Sequence, residues 1–420
     1  MHVSSIQRSP LTKNLLWKLF GYIFGGGFYF LANLLLIRHL GPTLYGQWAY
    51  AMGSAGLLMI LVDYGFNPLI TRDISKTPGL ATSYFYLVSL SKVFLWIAAT
   101  AALLLIAFFQ TSHENFISLL FCAALVLGAT SFVDMGLAFT HALEEFKLSA
   151  ILSSTHKLFM SIFLIIGIVI HRNINGLMTL LAMGALIGGL ITMFYFYQRF
   201  NDPFTDKHFN VKTTYLWREG LPLLIQNVFI VVYFRIDTVM LTWLAGEKET
   251  GIYSAAYRFF ELSNLFPSAL IAISIASLSR AVVDGYWKQH FSRVLLRFSA
   301  LGGLITGGLF LLSYLLGSFF LGKTFNSSEP ILRILSGASF FYCSNFLLIN
   351  FLVLIHKQIA NVWISFLCVI VNIAGNLFAI PRWGASGAAW MTLIVEMVLF
   401  IGSLTMIWIY KPRQLNLEKQ

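Results

Sequence analysis

The feature of this sequence that most limits its fold is a series of long apolar blocks, such as Leu19 to Ile37, which contains no charged residue. An apolar run of about 20 residues is long enough to cross the hydrocarbon core of a bilayer as an α-helix. Hydrophobic residues make up 58% of the 420 residues and charged residues only 11%, whereas a soluble domain carries roughly 25% charged residues. The sequence therefore predicts an all-α integral membrane protein and excludes a soluble one.

The apolar blocks predict twelve transmembrane spans, near residues 15–37, 45–70, 84–109, 116–140, 148–170, 177–198, 220–244, 252–279, 298–321, 334–355, 359–380 and 386–410. The connections between them are too short for a folded extramembrane domain. We expect two six-helix lobes, residues 1–200 and 220–420, joined by a cytoplasmic linker at 201–219. The three cysteines form no CxxC pair, so neither a metal site nor a cofactor is indicated.

The distribution of Lys and Arg predicts the orientation, because positively charged loops stay in the cytoplasm. With the N-terminus inside, inner segments hold 18 of the 28 Lys and Arg residues, outer segments hold 6 and the spans hold 4. Both termini are therefore expected in the cytoplasm. The net charge of +11 is explained by this inward bias and by contact with anionic lipid, so nucleic acid is not an expected partner.

The two halves of the chain also resemble each other. Gly46-Gln47-Trp48-Ala49-Tyr50-Ala51 opens the second span, and Gly251-Ile252-Tyr253-Ser254-Ala255-Ala256 opens the eighth, 205 residues later. Lys147 and Gly176 match Lys357 and Gly387 at offsets of 210 and 211. Transporters are often built from two such repeats, although small residues also recur by chance in an apolar chain. Because each half has an even number of spans, six, both halves enter the membrane in the same sense. The repeats are therefore parallel and related by an axis along the membrane normal.

Several short motifs carry a resemblance to a known family: Arg38-His39-Leu40-Gly41-Pro42 with Tyr45-Gly46, Asp63-Tyr64-Gly65, Thr71-Arg72-Asp73-Ile74, Arg235-Ile236-Asp237-Thr238, and Gly251 to Arg258. In these motifs the chain resembles the polysaccharide-biosynthesis oligosaccharide flippases (Wzx-like), in the superfamily that includes MATE exporters. The resemblance implies a MATE-like V shape of two lobes. It also implies a non-enzymatic flippase that moves undecaprenyl-pyrophosphate-linked glycan, an O-antigen or other lipopolysaccharide or surface polysaccharide unit, across a bacterial inner membrane. Membrane lipid and other polysaccharide assembly proteins are the implied partners.

Charged residues within the spans are the default functional candidates, because each costs about 2.5 to 3.5 kcal/mol at mid-membrane unless it faces protein or water. Nine such residues are predicted: Asp63, Lys92, Asp134, Lys157, Arg235, Asp237, Arg258, Glu261 and Glu396. At about 1.5 Å per helical residue, the first four share an inner layer. Arg235, Asp237, Arg258 and Glu261 share an outer layer, so each half has an electrically neutral quartet.

These quartets have two interpretations. In the first they are buried ion pairs that fix helix register. In the second, Arg235 and Arg258 form an outer binding station for the pyrophosphate group, and Lys92 and Lys157 form an inner one, because cationic donors, Arg above all, suit phosphate. Asp63, Asp134, Asp237 and Glu261 are then acidic neighbours that balance charge or couple an ion.

Glu396 is the acid left without a basic counterpart in this count. A buried carboxyl without a charged partner is expected to be neutral, which makes Glu396 a candidate proton-coupling residue. The alternative is a protonated side chain that merely hydrogen-bonds a neighbouring backbone group.

Two other function classes stay open. A membrane glycan polymerase or ligase would need catalytic groups in a sizeable outer loop, and the longest connections here are cytoplasmic. A MATE-like exporter of drugs or small cations would instead need an excess of acids in its cavity. The sequence favours transport of an anionic lipid-linked cargo over both.

Overall fold

The computed structural model of the protein describes residues 21–110, 114–170, 173–200 and 211–410, and every regular element in these ranges is helical. We number the α-helices in chain order as α1 (Gly27–Asp63), α2 (Phe66–Lys76), α3 (Ala81–Gln110), α4 (Glu114–Ala142), α5 (Phe146–Ile170), α6 (Ile174–Phe200), α7 (Thr213–Ala245), α8 (Glu247–Glu261), α9 (Leu265–Val283), α10 (Trp287–Leu315), α11 (Ser328–Leu354) and α12 (Gln358–Tyr410). The prediction of an all-α membrane protein is confirmed.

The predicted number of spans agrees with these helices once two long ones are divided. Within the described ranges, nine helical stretches are long and apolar enough to cross a membrane, and two of them, Phe24–Lys76 and Gln358–Tyr410, contain 53 residues each. A helix of that length would extend about 80 Å, against a hydrocarbon core of about 30 Å. Each contains a break, at Gly41 in α1 and at Gly384 in α12. The pair α8 and α9 supplies one further crossing.

The break at Gly384 turns α12 into a helical hairpin. Gly384 adopts a positive φ of 53°, which ends one arm and starts the next. On either side of it, Gly375 packs against Met391, and farther out Gly402 packs against Ile364. Residues that precede the break thus pair with residues that follow it in reverse order, so the two arms run antiparallel. They correspond to the eleventh and twelfth predicted spans.

The contacts divide the chain into two compact units whose borders lie inside helices. One unit contains the chain up to Leu36 together with Ser54–Asn227, and the other contains Ile37–Gly53 and the chain from Val228. The borders therefore fall within α1 and α7 rather than in the connection between α6 and α7. The predicted lobes 1–200 and 220–420 stay a prediction, and residues 201–210 of the predicted linker lie outside the described residues.

In the first unit, the end of α1 is fixed against the start of α7. The ring of Tyr64 meets that of Trp217 edge-on, with centroids 4.5 Å apart. Gly65 and Gly220 approach so closely that a Cβ on Gly65 would lie 2.7 Å from the Gly220 carbonyl oxygen. Small residues permit such close packing, which drives helix association in a membrane. This contact fixes the position of Asp63, the last residue of α1.

Candidate functional site

Two arginines of the second unit lie on either side of one carboxylate. Arg258 Nη1 donates a hydrogen bond to Glu261 Oε2 at 2.9 Å, and Arg235 Nη1 lies 3.6 Å from Glu261 Oε1. Arg258 Nε also donates to the hydroxyl oxygen of Tyr45 at 3.3 Å. Two guanidinium groups and one carboxylate leave this cluster with an excess positive charge. We call Arg235, Arg258 and Glu261 the arginine cluster.

The arginine cluster is open to a ligand, because 43% of the Arg235 side chain and 23% of the Arg258 side chain are accessible. Guanidinium groups bind phosphate oxygens through two parallel N–H donors and remain charged at every physiological pH. An incoming phosphate group can compete with Glu261 for both arginines. The arrangement therefore suits reversible binding of an anion better than it suits a permanent ion pair.

Asp237 lies apart from the arginine cluster, although the depth argument placed it in the same quartet. Its side chain is only 3% exposed and accepts hydrogen bonds from the Tyr253 hydroxyl at 3.1 Å, the Thr392 hydroxyl at 3.2 Å and Asn376 Nδ2 at 2.7 Å. The grouping by depth stays a prediction, but residues two apart on a helix point in different directions, and within the described ranges both arginines pair with Glu261 and not with Asp237. Arg235 and Asp237 are close together along α7 but do not share a face of it.

Glu396, on the second arm of α12, is also fully buried among neutral donors. It accepts hydrogen bonds from the Tyr233 hydroxyl and from Asn345 Nδ2, the latter at 2.6 Å. Within the described ranges, no Lys or Arg side chain forms an ion pair with Glu396 or Asp237. The proton-coupling role of Glu396 stays a prediction, and Asp237 has the same kind of neutral surroundings.

The two acids belong to one buried polar layer. On α7, Tyr233 precedes Asp237 by four residues, and on α12 Thr392 precedes Glu396 by four, so each helix presents its pair on one face. Asn372 Nδ2 links the two levels by donating to the Tyr233 carbonyl oxygen at 3.3 Å.

This buried layer also contains oxygen acceptors without a hydrogen-bond donor among the described residues. The amide oxygens of Asn345 and Asn376 are buried and accept no hydrogen bond from the described residues. A buried oxygen without a donor is a possible partner for a bound proton or cation.

The first unit contains the ion pair between Lys92 and Asp63. Lys92 Nζ lies 3.1 Å from Asp63 Oδ1 and also donates to the side-chain and carbonyl oxygens of Ser131, at 2.9 and 3.1 Å. Lys92 is completely buried. Its ammonium group is fully occupied by these three oxygens, so in this conformation it offers no donor to a cargo.

Asp134 and Lys157 of the first unit share a cavity. Both line a cavity of about 200 Å³ formed by Gly21 and by helices α4 and α5, together with His141, Ser149 and Ser153. Asp134 is exposed and Lys157 half-buried. Of the four charged residues of the predicted inner quartet, Lys92 and Asp63 therefore form a direct ion pair, and Asp134 and Lys157 line the cavity.

We expect removal of one member of the Lys92–Asp63 pair to destabilise the protein more than removal of both. Asp63→Asn leaves a buried ammonium without its counter-charge, which costs about 3 kcal/mol or more. The double variant Asp63→Asn with Lys92→Met removes the charge altogether. Thermal unfolding in detergent is expected to give a lower midpoint for Asp63→Asn than for the double variant. Additive losses from the two changes would contradict a pair.

Sequence reasoning found the charged residues but missed the neutral ones that surround the two buried acids: Tyr233, Tyr253, Asn345, Asn372, Asn376 and Thr392. One signal was available. Asn372 and Asn376 lie four residues apart in an otherwise apolar span, and such spacing places two polar side chains on one helix face. Polar residues on one face of a membrane helix indicate a functional or packing contact.

The profile of the polysaccharide biosynthesis protein family matches residues 11–276 of the chain. This match covers well over half of the sequence. The chain belongs to the polysaccharide biosynthesis protein family. Its resemblance to that family, expected from the motifs around Gly41 and Asp237, is thereby confirmed. A search of curated proteins finds no match to this family member.

Solved structures similar to this polysaccharide biosynthesis protein are transporters of one fold. An inward-facing multidrug resistance MATE transporter matches with a TM-score of 0.67 at 13% identity, over 94% of this chain and 99% of its own. The lipid II flippase MurJ in an inward closed conformation matches with a TM-score of 0.72 at 14% identity, over 94% and 87%.

A third similar structure comes from Pyrococcus furiosus. This transporter of the MOP superfamily, described as having reverse polarity in its binding pocket, matches with a TM-score of 0.65 at 12% identity, over 97% of this chain and 98% of its own. The three matches establish a MATE-like multi-pass membrane fold for the family member described here.

Proposed function

We propose that this protein is a flippase that moves polyprenyl-pyrophosphate-linked oligosaccharide units, an O-antigen or other surface polysaccharide repeat, from the cytoplasmic to the periplasmic leaflet. The arginine cluster carries the proposal. It offers two accessible guanidinium groups to an anion and holds one carboxylate that the anion can displace. A pyrophosphate bridge supplies several oxygens for such donors, whereas a cationic drug would be repelled.

The second station in this proposal uses Lys157. Its side chain lines the cavity beside Asp134, where an anionic head group can replace the carboxylate as its partner. Lys92 has no accessible surface, so we assign it, with Asp63, to the fixed ion pair instead. Cargo loading at Lys157 and later transfer to Arg235 and Arg258 would follow the direction of export.

Ion coupling is assigned to the buried layer that contains Asp237 and Glu396. A bound proton or monovalent cation would neutralise a carboxylate and satisfy amide oxygens that lack donors. Release of that ion leaves an uncompensated buried charge, which is costly in this environment. The two states therefore differ in free energy, so an ion gradient can drive a change of conformation. Transport measured under a proton gradient and under a sodium gradient identifies the coupling ion.

The proposed direction requires that both termini lie in the cytoplasm of a bacterial inner membrane. We expect a reporter fused after Gln420, or inserted in the connection 201–219, to be active in the cytoplasm, and one near His113 to be active outside. The reason is the excess of Lys and Arg in these inner segments. Paired enzyme reporters that are active on opposite sides of the membrane measure this, and an outside C-terminus would contradict the twelve-span topology.

The rival function is export of drugs or small cations, and one observation favours it: Asp134 is exposed beside the cavity of the first unit. Binding by the purified protein separates the two. A fluorescent polyprenyl-pyrophosphate oligosaccharide is expected to bind and to be displaced by unlabelled cargo but not by a cationic drug. Arg258→Gln should weaken this binding, whereas Asp134→Asn should weaken binding of a cation. Tight drug binding without cargo binding would favour the exporter.

A non-catalytic role is part of the proposal. The chemistry described above consists of ion pairs and hydrogen bonds that hold and release a charged lipid, and it requires no bond to be broken. The polymerase or ligase alternative predicts a longer glycan after incubation of the protein with its cargo. Under the flippase proposal, mass spectrometry finds the cargo unchanged on the other leaflet.

A further inference from the structure

The starts of two helices, one in each half of the sequence, cross in direct backbone contact. A Cβ placed on Gly46 would lie 1.8 Å from the carbonyl oxygen of Glu247, and a Cβ on Gly251 would lie 1.8 Å from the carbonyl oxygen of Pro42. At each glycine, the backbone of the other helix thus fills the space that a side chain would need, and the contact is reciprocal. We call Pro42, Gly46, Glu247 and Gly251 the glycine crossing.

The two sides of the glycine crossing have the same local structure. Gly41, one residue before the second arm of α1, has φ 68° and ψ 177°, and Gly246, one residue before α8, has φ 89° and ψ 172°. Few residues other than glycine adopt these angles. The separation of 205 residues between Gly46 and Gly251 also holds for Gly41 and Gly246. The crossing therefore pairs equivalent positions of the two sequence repeats.

The glycine crossing is connected to the arginine cluster. Tyr45, next to Gly46, is fully buried and its hydroxyl accepts a hydrogen bond from Arg258 at 3.3 Å. On the other side of Gly46, Gln47 Nε2 donates to Glu247 Oε2 at 2.8 Å. A separation of the two helix starts would break the Gln47–Glu247 bond and move Tyr45 relative to Arg258. The crossing and the anion site therefore share contacts.

We propose that the glycine crossing is the outer closure of the transport path, which must separate for cargo held by Arg258 to leave on the outer side. The inference rests on the proposed function for the identity of the cargo. The closure itself does not depend on which cargo the protein moves. The first and seventh connections are outer in the predicted topology, and the contact is too close for any group to pass. A cargo phosphate that binds Arg258 would compete with Tyr45 and thereby weaken the closed state.

The test uses one glycine variant and a matched control on the same helix. In a variant whose three buried cysteines, Cys122, Cys343 and Cys368, are replaced by alanine, Gln47→Cys reports access from outside to a membrane-impermeant thiol reagent. Gly46→Ala is expected to speed its labelling about tenfold, because a side chain cannot be accommodated in the closed contact. Gly53→Ala should leave labelling unchanged, since a Cβ there would lie 3.5 Å from Thr238, an ordinary contact distance.

A second measurement covers the case in which Gly46→Ala fails to accumulate. The double variant Gln47→Cys with Glu247→Cys is treated with a short bifunctional thiosulfonate, which links the two thiols and is removed by a reductant. We expect linking to stop surface glycan export and reduction to restore it, whereas the single variant Gly53→Cys, treated with the same reagent, should export throughout. Unchanged export in the linked protein would overturn the closure.

These outcomes separate the closure from the proposed cargo. If labelling and linking behave as expected but the protein exports no lipid-linked glycan in any form, the cargo assignment fails and the closure stands. If glycan export depends on Arg258 but neither Gly46→Ala nor linking changes access, the closure fails and the cargo assignment stands.

Discussion

Replacement of Arg258 by glutamine is expected to lower surface glycan export about 10- to 100-fold while the amount of protein in the membrane stays the same. The physical reason is the loss of a charge-assisted hydrogen bond to the cargo phosphate, worth about 1.5 to 3 kcal/mol. Lysine keeps the charge but lacks the planar fork of two donors, so Arg258→Lys should give intermediate export. Arg235 should follow the same order of arginine, lysine and glutamine.

The control for this prediction is an added substitution of Glu261, the acid that lies between both arginines. If Arg235 and Arg258 only hold helices together through Glu261, each glutamine variant should lose protein together with export. Adding Glu261→Gln to such a variant would then restore both. Under the flippase account, the added change leaves export low, because the cationic donor is still absent. Full export with glutamine at both arginine positions would remove the arginine cluster from the transport path.

The second large effect is expected at the two buried acids. Asp237→Asn and Glu396→Gln keep the size of the side chain but cannot lose a proton or carry the charge that holds a cation. The hydroxyls of Tyr253, Thr392 and Tyr233 can rotate to accept from the new amide groups, so folding should survive. We expect cargo binding to remain and gradient-driven transport to fall to the level seen without a gradient.

A matched acid outside the layer controls for the change of charge. Glu329, on the first turn of α11, pairs with Arg333 at 3.5 Å and remains partly exposed. Glu329→Gln should transport at the normal rate with the normal gradient dependence. The measurement is cargo accumulation in vesicles under an imposed proton or sodium gradient. Gradient dependence that persists in both Asp237→Asn and Glu396→Gln would place coupling elsewhere.

The spans were predictable because their signal is local. A block of about 20 apolar residues identifies a membrane helix without knowledge of any contact, and the two longest helices were divided correctly because charged or small residues interrupt them near Gly41 and Gly384. The inner ion pair was less accessible to sequence reasoning. Depth alone gave four possible acid–base pairings in the first half. Only the structure shows that Lys92 pairs directly with Asp63 and that Lys157 shares a cavity with Asp134.

The polar layer and the glycine crossing could not be predicted from one sequence, for related reasons. Asp237 and Arg235 are close together along α7, but the direction of each side chain depends on which neighbouring helix packs on that face of α7. The neutral partners of Asp237 lie up to 155 residues away in the chain. The repeat of Gly46 and Gly251 was visible in the sequence, yet nothing in the repeat indicates that its two copies touch each other.

Transport by the purified protein in lipid vesicles tests the central claim most directly. Vesicles carry a polyprenyl-pyrophosphate oligosaccharide on both leaflets, and an enzyme added outside trims the glycan that it can reach. Without the protein about half of the cargo should stay protected, since only the outer leaflet is accessible, and with the protein in a gradient this protected fraction should fall. In vesicles that contain the Arg258→Gln variant, the protected fraction of cargo should not fall. Equal protection with and without the wild-type protein, under proton and sodium gradients alike, would contradict the account.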